Sequence, residues 1–109
     1  MKVKRIEHIA IAVKSMKKFG RFLENDLDIK MEYEEELPKY RTKLAMYPVG
    51  DTYIELLESD HPETETSEWI AKHGEGLFHI CLEVEDICLL YTSDAADEGL
   101  GVDLGGRRI

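Results

Sequence analysis

EHIAIAV, residues 7–13, is the stretch whose reading decides the fold, because it returns as FHICLEV at residues 78–84. From Arg5 to Val13 the residues alternate, with Ile6, His8, Ala10 and Ala12 on one face and Glu7, Ile9, Ile11 and Val13 on the other, the period of a β-strand. In the echo, His79, Cys81 and Glu83 take the equivalent face, and Ile80, Leu82 and Val84 the opposite one. Matching residue types at most positions mark an internal repeat that begins again at the second stretch. Duplicated strands set about a pseudo-twofold bring equivalent positions together, so His8 and His79 become a candidate pair. The small residues beside each histidine suit a cavity wall, whereas the branched faces suit packing against helices.

Between the two stretches the pattern predicts one helix and three strands. Ser15 is placed to cap a helix over residues 16–27, with Phe19, Phe22, Leu23 and Leu27 at helical spacing and Lys17, Lys18, Arg21 and Glu24 facing water. Gly20 weakens that helix by about 1 kcal/mol relative to Ala. Strands are expected at Lys30–Leu37, ended by Pro38, at Thr42–Tyr47 and at Thr52–Glu58, the last two joined by a turn at Gly50 and Asp51. Ser59–Thr66 reads as a loop and Ser67–His73 as a short helix stopped by Gly74. Leu77–Val84 is again a strand. The fold class is therefore α+β, a βαβββ module plus the opening strand of a second module, together spanning residues 1–87.

From Cys88 onward no strand or helix period persists, and Gly and Asp dominate. Cys88 to Glu98 resembles an in-frame translation of the transposon mosaic end used in sequencing libraries, and Val102 to Ile109 resembles the adjoining flow-cell adapter. Residues 88–109 are accordingly expected to be a non-native disordered tail on a truncated module, and they are left out of the fold reasoning. Half of a paired sheet would expose edges and an apolar seam, which favours dimerisation or aggregation of such a fragment.

With 109 residues, 43% apolar and 34% charged, the chain has the composition of one small soluble domain. Its net charge of −9 and scattered basic residues argue against nucleic acid or an anionic membrane as partner. No apolar run approaches the roughly 18 residues of a membrane span, and the amino terminus is too strand-like for a signal peptide, so a cytoplasmic location is expected. Cys81 and Cys88 lack the CxxC spacing of a thiolate zinc site.

The third candidate site residue is Glu55, which shares a strand face with Tyr53 and Leu57; an inward carboxylate among such neighbours needs a cation or strong hydrogen bonds to stay ionised. Two imidazoles and a carboxylate suit a divalent first-row metal such as Co, Mn, Ni, Fe or Zn. A lone strand histidine is more often structural than metal-binding, and it is the repeat that singles out His8 and His79. Glu34, Glu35 and Glu36 read as a solvated strand edge, and His61 and His73 receive no catalytic role.

The set EHIAIAV, PVGDTYIELLES and EWIAKHGEGLFHICLEVEDI, in this order and spacing, resembles the first half of the methylmalonyl-CoA epimerases of the vicinal-oxygen-chelate superfamily. GEGLFHICLEVEDI is its most specific part. The resemblance implies metal ligands at His8, Glu55 and His79, a fourth ligand on a last strand that this chain lacks, and a homodimer in the full-length parent. It further implies an acyl-CoA substrate whose epimers interconvert through an enolate. Some family members place a proton-transfer Glu on the third strand, where this sequence has Lys43. Two alternatives stand beside the epimerase: a glyoxalase-like lyase of the same fold, and a metal-free binding or resistance module whose histidines are structural.

Overall fold

The alternating segments form strands and the segments of helical spacing form helices, and their order is β-α-β-β-β-α-β. In the computed structural model, residues 2–85 are described with their side chains and residues 101–103 as backbone. The strands are β1 (Val3–Ala12), β2 (Tyr33–Leu37), β3 (Thr42–Val49), β4 (Thr52–Ser59) and β5 (Gly76–Val84), with a three-residue β6 (Gly101–Asp103). The helices are α1 (Met16–Arg21) and α2 (Glu65–His73). Together the strands make one mixed sheet in the order β2-β3-β4-β1-β5-β6. Of the stretch 88–109, expected to be a disordered tail, β6 pairs antiparallel with β5; the remainder of that expectation lies outside the described residues.

β1 is parallel to β4 and antiparallel to β5. Reaching a parallel neighbour requires a crossover, which α1 and the β2–β3 hairpin provide. The apolar faces then bury against different partners. Ile11, Val13, Ala45, Tyr47, Ile54 and Leu56 pack with Met16, Phe19 and Leu23 under α1. On the reverse face Ala10, Ala12, Leu44, Met46, Leu57 and Phe78 meet Trp69 and Ile70 of α2. That second layer covers the face only in part and leaves a cleft over the middle of the sheet.

Several boundaries differ from the sequence expectation, three of them for a clear physical reason. The first helix is α-helical only to Arg21 and widens into a π turn at Phe22–Asp26, where the Leu27 amide donates to the Phe22 carbonyl at 3.3 Å. This widening lets Leu23 bury while the chain turns toward β2. β2 begins at Tyr33 rather than Lys30, because its pairing with β3 starts at Tyr33 opposite Met46. α2 begins two residues before Ser67 because Thr64 is the true cap, its Oγ1 accepting from the Ser67 amide at 3.1 Å. Gly74 ends α2 at φ +83°, as its position predicts. Gly20 has a packing reason: a Cβ there would run into the Tyr47 hydroxyl.

Candidate metal centre

The repeat becomes geometry where β1 meets β5. His8 lies opposite Cys81, Ala10 opposite His79, and Ile9 opposite Ile80, so a local twofold passes through the isoleucine pair and exchanges the two histidines. β4 runs along the other side of β1 with Tyr53 beside His8, Glu55 beside Ala10 and Leu57 beside Ala12. Residues paired this way share a face, which puts Glu55 next to both imidazoles.

The three side chains converge. His8 Nε2 is 3.0 Å from His79 Nε2 and 3.4 Å from a Glu55 carboxylate oxygen, and one donor atom from each residue lies within 4.8 Å of the others. All three line a cleft of about 820 Å³, with the Glu55 side chain 12% and the His8 side chain 16% exposed. Burial holds the Glu55 carboxyl above the usual carboxylate range; His8 draws it back down, and the Glu7 charge pushes it further up.

The donor set fits a divalent cation. Ligand atoms about 2.1 Å from a metal and about 90–110° apart are about 3.0–3.4 Å from one another. The two spacings from His8 Nε2 fall in that interval. Two imidazoles and the Glu55 carboxylate, with the Glu7 carboxylate beside them, form the kind of mixed nitrogen and oxygen donor set that a divalent cation takes. His8, Glu55 and His79 are the residues that would hold it.

One face assignment from the sequence is corrected. Strict alternation turns Glu7 away from His8, yet the Glu7 carboxylate accepts a hydrogen bond from His8 Nδ1. The pairing slips at this point: Ile6 is opposite Leu82 and His8 is opposite Cys81, so Glu7 is an extra residue. A bulge of this kind brings two consecutive side chains to the same side. A second slip leaves Phe78 extra in β5, between Leu77 opposite Ile11 and His79 opposite Ala10. Glu7 and Phe78 occupy equivalent places in the repeat, each just before its histidine. Phe78 is buried, with its ring centroid 5.3 Å from that of His79 and 5.4 Å from that of Trp69.

Lys43, the sequence position matched to a base on the third strand, points the other way. It pairs across the sheet with Glu36 and Glu58 and lines a separate cleft of about 390 Å³ beside α1. β3 presents Thr42 and Leu44 to the histidine cleft instead. His61, given no role from sequence, also borders that cleft; its carbonyl accepts from Ser59 Oγ and Ser67 Oγ at 2.9 and 2.7 Å, which holds the loop as a wall. His73 stacks on Trp69 at 4.1 Å between ring centroids.

Residues 7–98 match the family model of the glyoxalase/bleomycin resistance protein/dioxygenase superfamily. The chain is 30% identical over 84 residues to the mitochondrial methylmalonyl-CoA epimerase of Homo sapiens, covering 76% of this chain and 48% of that protein. It is 32% identical over 76 residues to the uncharacterised protein YqjC of Bacillus subtilis, covering 70% and 54%. The chain thus spans about half the length of the curated relatives it matches. Among solved structures, a hypothetical protein of Bacillus halodurans superposes with a TM-score of 0.77 at 34% identity, over 87% of this chain and 68% of that one. A variant of Streptomyces coelicolor methylmalonyl-CoA epimerase in complex with 2-nitronate-propionyl-CoA gives 0.75 at 27% identity, over 90% and 72%.

Proposed function

The chain belongs to the glyoxalase/bleomycin resistance protein/dioxygenase superfamily, and from that premise we propose that it is part of a metal-dependent epimerase acting on a 2-methyl-branched acyl-CoA such as methylmalonyl-CoA. The observation that carries this reading is the convergence of His8, Glu55 and His79 in the cleft over the sheet. His8, Glu55 and His79 would hold a divalent cation, which when bound would supply Lewis-acid stabilisation of the charge on an enolised thioester oxygen. The protein's contribution is to fix three donors on paired strands at the wall of the cleft. The α-proton of a thioester is too weakly acidic to leave at neutral pH without that help.

The lining of the cleft supports an anionic substrate with an apolar part: Leu57 and Phe78 join the charged site there, and Lys39 and Arg41, the latter paired with Asp60, add positive charge for phosphates. The relatives support the acyl-CoA class, since the S. coelicolor epimerase is held with an acyl-CoA analogue.

A second reading, a glyoxalase-like lyase acting on a thiol conjugate, draws support from β3. With Leu44 toward the cleft and Lys43 on the far face, this strand supplies no base for one side of the α-carbon. The two are separated by one experiment, run with Co²⁺ or Mn²⁺ on a full-length protein in which the second module is restored. In D₂O, incorporation of deuterium at the α-carbon of methylmalonyl-CoA is the expected result. Turnover of a hemithioacetal without any such incorporation favours the lyase, and absence of bound metal after dialysis overturns both.

A further inference from the structure

Two of the three register shifts between β1 and β5 give equivalent positions different chemistry. In β5 the extra residue is Phe78, an apolar ring against His79. In β1 it is Glu7, whose carboxylate takes the Nδ1 proton of His8. The distortion at Glu7 is anchored on both sides. Arg5, two residues earlier, donates through Nε to the opposing Glu83 at 2.6 Å, and Thr52 Oγ1 donates to the Ile6 carbonyl at 3.0 Å. Cys81 faces the bulge from the opposite strand, its sulfur within 4.8 Å of the Glu7 and His8 donor atoms. A carboxylate so placed is not a chance neighbour, since in a regular strand residue 7 would face the far side.

We propose that Glu7 is a positioning residue for the metal centre: by accepting from His8 Nδ1 it fixes that imidazole as the Nδ1–H tautomer, with the Nε2 lone pair turned toward His79 and Glu55. The inference rests on reading His8, Glu55 and His79 as ligands. A neutral imidazole carries one proton on one of two nitrogens, and only the bare nitrogen can accept a cation. Hydrogen bonding of the other nitrogen to a carboxylate settles which one is bare and makes it more basic. The 3.0 Å contact between the two Nε2 atoms is consistent with this. With His8 Nε2 as acceptor, His79 supplies the proton in the metal-free chain. His8 is then ready for the metal before it arrives, whereas His79 must move its proton to Nδ1.

The test combines a spectroscopic readout with a binding one. Long-range ¹H–¹⁵N spectra of the metal-free chain are expected to show His8 as the Nδ1–H and His79 as the Nε2–H tautomer. In Glu7→Ala the His8 signals should move toward a mixture of tautomers. Affinity for Co²⁺, measured by competition with a chromophoric chelator, should fall 10–100-fold in Glu7→Ala. Glu7→Gln keeps an oxygen acceptor and should recover most of the loss. Circular dichroism and melting confirm that the variants are folded. An Nε2–H tautomer at His8 in the unsubstituted chain, or equal Co²⁺ affinity in folded Glu7→Ala, overturns the proposal while leaving the ligand assignment standing. Two equivalents of Co²⁺ bound, with one lost in Glu7→Ala and in Cys81→Ala, would make Glu7 itself a ligand and overturn its positioning role. Absence of stoichiometric metal in the unsubstituted chain overturns the ligand assignment and this inference with it.

Discussion

The metal site proposed at His8, Glu55 and His79 has a stability consequence that can be worked out and measured. The three donors lie on β1, β4 and β5, strands brought side by side only by folding, so the unfolded chain has no comparable site. A cation present at a hundred times its dissociation constant therefore stabilises the folded chain by about 2.7 kcal/mol. For roughly 85 ordered residues, an unfolding entropy of about 2.1 cal/mol/K per residue totals about 0.18 kcal/mol/K, and the melting midpoint should rise by about 15 °C. The assay is thermal unfolding followed by circular dichroism, with Co²⁺ or Mn²⁺ and then with a chelator that should reverse the shift. His8→Ala, His79→Ala and Glu55→Ala each remove one of three donors and should abolish most of the rise. Glu55→Ala also removes a buried carboxylate, so its metal-free midpoint should suffer least of the three. An unchanged midpoint in the parent chain, or an undiminished rise in His79→Ala, would refute the ligand assignment.

Other perturbations probe the scaffold around the site. Phe78→Ala should cost about 3–5 kcal/mol in urea unfolding, because a ring buried between Trp69 and His79 is lost, while Phe78→Leu should cost distinctly less. Gly20→Ala should destabilise the chain despite the better helix propensity of alanine, since the new methyl meets the Tyr47 hydroxyl; combining it with Tyr47→Phe should restore much of the loss, as read by the same unfolding curves. Lys43→Ala should leave α-deuterium incorporation unchanged, because its side chain lies on the far face of the sheet; a large loss of exchange would show that the face assignment is wrong.

The strands and the two histidines were legible because their information is local or repeated. Period-2 alternation marks each strand, and EHIAIAV against FHICLEV aligns His8 with His79 without any structure. Glu55 was legible in part, through its strand face, but its nearness to His8 follows from the parallel pairing of β4 with β1, which no local pattern encodes. Glu7 was missed outright. A bulge violates the alternation used to assign faces, and only the slip at Ile6 and His8 against Leu82 and Cys81 reveals it. The face of Lys43 could have been read from alternation along β3, since Thr42 and Leu44 match Ser59 and Leu57 across the hairpin. The π turn at Phe22–Asp26 depends on how Leu23 seats under the sheet, a tertiary demand that helical spacing does not express.

The strand that carries His8 is hydrogen-bonded along both edges, to β4 and to β5. Amides in such a position exchange with solvent only when large parts of the molecule open, events far rarer than the microsecond-to-millisecond motions of surface loops. The chain therefore keeps two clocks. The imidazole of His8 rides on the slow one, whereas exposed surface segments follow the fast one. Many surface fluctuations can pass before the backbone beneath the donors has once come apart.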